Sequence, residues 1–168
     1  MDLSAISVLM LDVDGVLTDG RVTLSEDGET ASTFDVHDGC MIKLWQRAGG
    51  RVAILSGRSS PAVRRRAEEL HIAVVRQGAA DKSAAFEELL AELAVESSVV
   101  CYVGDDLPDL GPLGRCGFPV AVANGVGEVK RAARYVTARC GGHGAVAEVV
   151  ELILRKQRRW SRSLLSEV

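Results

Sequence analysis

Apolar, β-branched runs recur along the chain with helix-period segments between them, a pattern met by a parallel sheet with crossover helices. Ile6 to Leu11, Arg51 to Leu55, Ala73 to Val75, Val99 to Val103 and Val120 to Val122 read as strands. Helices are expected from about Asp38 to Ala48, Pro61 to Leu70, Ser83 to Leu93 and Glu128 to Ala133, with a last one from Ala145 towards Arg159. Ser60 before Pro61 reads as an N-cap followed by proline at the first helical position. Trp45, at helical spacing from Met41 and Ile42, is expected in the core. One segment breaks the alternation. Arg21 to Leu24 and Glu29 to Thr33 flank Glu26-Asp27-Gly28, which reads as a β-hairpin directly after the first strand. Nothing else is long enough for a separate lid. The expectation is one Rossmann-like α/β domain over residues 1–168, a doubly wound parallel sheet with a hairpin at about 21–34, a C-terminal helix and tail at about 145–168, and no cap domain.

A length of 168 residues suits a single domain, and 47% hydrophobic content lets it bury a core. Only 4% is aromatic, so that core is built from Ala, Val, Leu and Ile. The net charge of −3 argues against a polyanion binder, so nucleic acid is not an expected partner. No apolar run approaches a membrane span, and Met1-Asp2 leads into a strand-like run rather than a charged leader. Cys40, Cys101, Cys116 and Cys140 lie far apart and form no C-x-x-C pair. A reduced cytoplasmic protein without zinc is the expectation.

The first strand ends in Asp12-Val13-Asp14-Gly15-Val16-Leu17-Thr18-Asp19-Gly20. Two carboxylates, two residues apart and just past a buried strand, stand where open α/β sheets bind ligands. Burying them together is costly unless a cation or hydrogen bonds compensate. Three further signals follow at strand exits or helix starts. Leu55-Ser56-Gly57-Arg58 offers a hydroxyl and loop amides to a phosphate. Asp81-Lys82-Ser83 opens a helix and supplies a cation. Gly104-Asp105-Asp106-Leu107-Pro108-Asp109 is a second acidic cluster. Each has a plain alternative: a solvated turn, Ser56 as a cap, Lys82 as a surface charge, Asp105 and Asp106 as loop solvation. Four such signals in this order weigh against those alternatives jointly.

In that order they resemble the four motifs of haloacid dehalogenase-type phosphatases. The resemblance implies Asp12 as a nucleophile that becomes an aspartyl phosphate and Asp14 as general acid, then base. It implies Ser56 and Lys82 as holders of the phosphoryl oxygens. Magnesium would sit between the Asp12 carboxylate, the Asp14 backbone carbonyl and Asp105, with Asp106 and Asp109 positioning that loop or its waters.

A closer resemblance covers nearly the whole chain. Asp12 to Gly20, Phe34 to Gly39, Ser56-Gly57-Arg58, Arg66-Ala67, Gln77-Gly78, Asp81-Lys82, Tyr135-Val136-Thr137 and Gly141-Gly142-His143-Gly144-Ala145-Val146 are similar to the 3-deoxy-D-manno-octulosonate 8-phosphate phosphatase family. That resemblance implies a capless enzyme of lipopolysaccharide precursor synthesis. It also implies a homotetramer in which hairpin and tail complete neighbouring sites, with Gly57, Arg58 and His143 on the sugar acid. The chain departs from the family in four places. Ser56 stands for a usual Thr, His143 for Arg or Lys, Ala147 for a common Arg, and Asn124-Gly125 for Asp-Ala.

Some readings stay open at this level. Arg58 can read a substrate carboxylate or make an ordinary ion pair. His37 and Asp38 can cap a helix or act near the hairpin. His71 reads as a helix-end residue, and the run Arg155, Lys156, Arg158, Arg159 and Arg162 as a solvated helix end. The nearest enzymatic alternative is a phosphatase of a nonulosonate 9-phosphate, where related enzymes tend towards an acidic residue at the Arg58 position. The rivals of another class are a phosphoacceptor receiver and a non-catalytic phosphatase-like regulatory module. A receiver carries its phosphorylated Asp after an internal strand, and an intact Asp12, Asp14, Lys82 and Asp105 set argues against the regulatory module.

Overall fold

The structure, a computed structural model, describes residues 2–24, 26, 30–161 and 164. Six strands form one sheet: β1 (Val8–Leu11), β4 (Arg51–Leu55), β5 (Val74–Arg76), β6 (Val100–Gly104), β7 (Phe118–Ala121) and β8 (Tyr135–Val136). Their order is β5-β4-β1-β6-β7-β8, with every neighbouring pair parallel. The chain winds outwards from β1 to one edge, then returns to build the other half from β6. The reversal places a topological switch point at β1 and β6, beyond whose carboxyl ends open α/β sheets bind ligands. A separate antiparallel pair, β2 (Thr23–Leu24) with β3 (Thr30–Ala31), is the hairpin. Its expected turn at Asp27-Gly28 lies outside the described residues.

The sheet is buried on both faces, and its strands alternate between two apolar layers. Leu9, Leu11, Val52, Ile54, Cys101, Val103, Phe118 and Val120 face one core. Helices α1 (Val36–Arg47), α2 (Pro61–Glu69) and α6 (Ala145–Lys156) cover it through residues such as Trp45, Ala67 and Val150. Val8, Met10, Ala53, Leu55, Val100, Tyr102 and Ala121 face the other core. There they meet α3 (Lys82–Leu93), α4 (Leu110–Leu113) and α5 (Gly127–Ala132). Trp45 is fully buried as expected, and its indole N–H donates to the Arg51 carbonyl at 2.9 Å.

Several boundaries move for identifiable reasons. Helix α1 starts two residues earlier than expected because the Asp35 carboxylate accepts the His37 amide at 2.6 Å. Asp81 caps α3 by accepting from Ser83 at 2.8 Å and Ala84 at 3.1 Å, so Lys82 is already helical. Helix α6 stops at Lys156 rather than Arg159. Gln157 turns back to donate to the Leu3 and Ile6 carbonyls at 2.9 and 2.7 Å, and Arg158 takes a left-handed φ of 58°. Arg155 spends its charge on Glu151 at 2.7 Å and lies over the Trp160 ring, which fits a solvated helix end. Arg162 lies outside the described residues. The short β8 and α4 were not anticipated, since two and four residues carry no readable period.

Asp38 settles into a structural role. It is buried at the junction of α1 and α6, and its Oδ1 accepts the Ala147 amide at 2.7 Å in the first turn of α6. Gly144 begins that helix without a capping side chain, so Asp38 acts as a remote N-cap. Burial nonetheless wins over these hydrogen bonds and pushes the Asp38 carboxyl up to about 6. Arg66 anchors the hairpin's return. Its guanidinium donates to the Asp35 carbonyl at 3.1 Å, pairs with Glu69 at 2.9 Å and lies 5.7 Å from the Phe34 ring centre.

Candidate active site

Asp12 follows β1 and is nearly fully buried, so its carboxylate leaves water and must find partners in the protein. Lys82, at the start of α3 and 6% exposed, provides one: its Nζ lies 2.7 Å from Asp12 Oδ1. The same ammonium donates to Asp109 Oδ1 at 2.7 Å, below the cleft floor. Burial alone would drive Lys82 towards neutrality, but the two carboxylates outweigh it and hold the ammonium above the ordinary lysine range. Asp12 is also pushed up, to about 6, by burial and then by the charge of Asp109, which for a carboxyl favours the neutral form.

Asp109 is the fully buried hub beneath the site. Oδ1 accepts from Lys82 Nζ and from the Tyr102 hydroxyl, both at 2.7 Å. Oδ2 accepts from the Asp105 amide at 2.9 Å and the Asp106 amide at 3.2 Å. A carboxylate offers about four acceptor sites, so Asp109 is saturated. Asp106 is exposed, and its Oδ1 accepts from the Leu107 amide at 2.8 Å, closing the short 3₁₀ turn Leu107–Asp109. Both residues therefore shape the loop that carries Asp105.

Carboxylate oxygens of Asp12, Asp105 and Asp109 lie within 4.8 Å of one another. Asp109 has no acceptor site to spare, whereas Asp105 Oδ1 is buried without a hydrogen-bond partner. Burial, then Asp12 and Asp109, push Asp105 up to about 8. An orphaned buried oxygen beside a second strained carboxylate is the arrangement a hard divalent cation relieves, and Asp12 with Asp105 fits magnesium. Gly15 makes room for it. It adopts a φ of +93°, and a Cβ there would run into the Asp105 carboxylate.

Asp12, Asp14, Gly57, Arg58, Lys82, Asp105 and Asp106 line one open cleft of about 470 Å³ beyond the strand ends. Ser56 is buried after β4, and its Oγ accepts the Arg58 amide at 3.3 Å. Asp14 is half-buried and takes Arg58 Nη1 at 3.3 Å. Seven of the sequence-based residues thus share one cleft, whereas Ser56 and Asp109 are buried and outside its lining. His143 is exposed and lines no part of this cleft within its own chain.

The glycines before His143 allow close packing against the chain's own loop after Asp14. A Cβ on Gly141 would strike the Gly15 carbonyl, and one on Gly142 would crowd Thr18 and Asp19. The Gly142 amide donates to the Val16 carbonyl at 3.0 Å. Asn124 joins the two segments, donating to the Gly15 carbonyl at 3.3 Å and accepting the Gly141 amide at 2.7 Å. An amide can do both, which an ionised aspartate cannot. Thr18 staples the same loop by accepting from Gly15 and Gly20 and donating to Val13, each at 3.3 Å.

Tyr102, Thr18 and Asn124 were missed from sequence. The available signal was strongest for Tyr102, since a polar phenol in a fully buried strand must find a partner.

The chain's relatives fit this geometry. Residues 71–150 match the haloacid dehalogenase-like hydrolase family. The 3-deoxy-D-manno-octulosonate 8-phosphate phosphatase KdsC of Haemophilus influenzae is 39% identical over 159 residues, spanning 95% of this chain and 88% of that protein. Its Escherichia coli K12 counterpart is 41% identical over 152 residues, spanning 90% and 81%. A crystal structure of the Moraxella catarrhalis enzyme, in complex with magnesium ion, phosphate ion and a KDO molecule, superposes with a TM-score of 0.94 at 38% identity, covering 99% of this chain and 96% of that one. The chain belongs to the 3-deoxy-D-manno-octulosonate 8-phosphate phosphatase family of haloacid dehalogenase-like hydrolases.

Proposed function

We propose that the chain is a magnesium-dependent phosphatase that hydrolyses 3-deoxy-D-manno-octulosonate 8-phosphate to the sugar acid and inorganic phosphate, working as one catalytic domain. The observation that carries this reading is the buried contact of Lys82 with Asp12 at 2.7 Å, beside the orphaned Asp105 oxygen. Asp12 attacks phosphorus in line, the ester P–O bond breaks, and Asp14 gives its proton to the leaving alkoxide. Asp14 then takes a proton from water, which attacks phosphorus and frees phosphate from the Asp12 acyl phosphate. Ser56 and Lys82 hold the phosphoryl oxygens, and the charge of Lys82 is secured by its two carboxylates. Magnesium would be held by Asp12, the Asp14 backbone carbonyl and Asp105, and would supply charge that offsets those oxygens.

Arg58, the cation beside Asp14, takes the substrate carboxylate, and Gly57 lines the same cleft next to it. His143 acts from a neighbouring subunit, a role supported by its exposure and its absence from the lining of its own cleft. The exposed Val22 and Leu24 on the hairpin, at 45% and 71%, are the surface on which a homotetramer would assemble. No described helix is long and apolar enough to cross a membrane. The four cysteines are free, which suits a reducing cytoplasm.

The direct test is phosphate release by purified protein from the octulosonate 8-phosphate and a nonulosonate 9-phosphate, with and without magnesium. Metal-dependent release favouring the octulosonate supports the reading. Preference for the nonulosonate moves the substrate assignment, and the absence of release from either ends it.

A further inference from the structure

Gly15 stands where the loop after Asp14 closes on Asp105, and a side chain there would strike the Asp105 carboxylate. Glycine meets that steric demand, but its backbone is also the least able to hold its own direction. The peptide planes on either side of Gly15 must therefore be fixed from outside. On the amide side, the Gly15 N–H donates to Thr18 Oγ1 at 3.3 Å, which orients the plane containing the Asp14 carbonyl. On the other side, the Gly15 carbonyl accepts from Asn124 Nδ2 at 3.3 Å.

Asn124 lies in the turn after β7, and the same turn grips the opposite wall of the site. The Val126 amide donates to the Asp105 carbonyl at 2.8 Å. A Cβ on Gly125 would lie 3.1 Å from that carbonyl, so the turn rests directly on the Asp105 backbone. Its own shape is held by the Gly125 amide on the Val122 carbonyl at 2.9 Å and the Ala123 amide on Thr137 Oγ1 at 3.1 Å. The Gly141 amide donates to Asn124 Oδ1 at 2.7 Å, and an oxygen engaged by a donor leaves Nδ2 to face Gly15. Asn124 thus ties the loop of Asp12 and Asp14 to the turn that carries the Asp105 backbone.

We infer that Asn124 is a positioning residue of the magnesium site, which sets the gap between the Asp14–Gly15 loop and Asp105. The inference rests on the metal assignment proposed above and adds to it the residue that fixes the spacing of its two walls. Asn124 lines no part of the cleft, so it acts through Gly15 rather than on substrate. Magnesium demands near-ideal octahedral geometry, so a small drift between the walls is felt as lost affinity. Asn124 is exposed, and shortening it opens no void in either core.

The test is a calorimetric titration of wild type and Asn124→Ala with magnesium alone, beside melting curves of both proteins without metal. Asn124→Ala should bind magnesium about tenfold more weakly than wild type, the scale of a lost contact behind a metal ligand. The magnesium needed for half-maximal hydrolysis of p-nitrophenyl phosphate should rise by the same factor, with wild-type kcat recovered at saturating metal. A purely structural role would lower the melting midpoint and leave the magnesium affinity where it was, because a modest loss of stability keeps nearly every molecule folded at room temperature. Unchanged or tighter magnesium binding by the variant therefore overturns the inference, whatever the midpoint does. A wild type that binds no magnesium overturns the metal assignment and the inference with it.

Discussion

The Tyr102 hydroxyl donates to Asp109 Oδ1 at 2.7 Å, and this contact fills the last acceptor position of the carboxylate that carries Lys82. Tyr102 comes from the middle of β6, so the sheet itself fixes the height of the lysine against Asp12. Burial first, then the charge of Asp109, holds the phenol well above its ordinary range, so it stays a donor.

Tyr102→Phe keeps the ring and removes that donor. Leaving a buried carboxylate short of one partner costs about 1–3 kcal/mol. The variant should fold with a lowered thermal midpoint and lose about tenfold in kcat while KM changes little. Steady-state kinetics with a parallel melting curve checks this. An unchanged kcat would mean that Lys82 is held without Tyr102.

Asp38 predicts a pH dependence of stability. Its folded carboxyl titrates at about 6 against an ordinary value of 3.8, so between those values the folded state holds more protons than the unfolded one. Stability from this group is therefore full below about pH 4, falls as pH rises towards about 6, and is flat above, by at most about 3 kcal/mol. Asp38→Asn keeps an acceptor for the Ala147 amide and cannot ionise. Its midpoint relative to wild type should be higher at pH 7.5 than at pH 4.5, and a difference independent of pH would contradict the assignment.

Gly141→Ala places a methyl against the Gly15 carbonyl, behind the loop of Asp12 and Asp14. Overpacking of this kind costs about 1–3 kcal/mol. Activity should fall although residue 141 lines no part of the cleft. A fully active, fully stable variant would show that the loop yields without consequence.

The proposed assembly makes Leu24 an interface residue despite its 71% exposure in the single chain. Leu24→Glu should shift light scattering from the tetramer to a smaller species and raise KM for the sugar phosphate. His143→Ala should raise KM in the tetramer without changing kcat. A wild type that is monomeric and fully active would remove both expectations.

The strand alternation and the four chemical signals were legible because each rests on a local rule: a period, a strand exit, a helix start. Asp12, Lys82 and Asp105 meet because parallel strands bring their carboxyl ends to one edge, so sequence order sufficed to group them. What stayed hidden depends on contacts across long separations. Asn124 reaches Gly15 and Gly141 from 109 and 17 residues away, and no period announces it. Asp38 was open to capping the helix it begins or to acting near the hairpin; Asp35 caps that helix instead, and only the arrival of α6 at Ala147 gives Asp38 its role. Gly141 and Gly142 fit against Gly15, Thr18 and Asp19 of the chain's own loop, a contact between distant segments that no local rule announces.

The most direct test of the proposed mechanism is the phosphorylation state of Asp12. Protein mixed with magnesium and 3-deoxy-D-manno-octulosonate 8-phosphate, quenched in acid within the first turnover and digested, should yield the Asp12 peptide heavier by one phosphoryl group. Asp12→Asn should give a folded protein with neither the adduct nor phosphate release. Phosphate release persisting in Asp12→Asn, or an adduct on another residue, would contradict nucleophilic catalysis by Asp12.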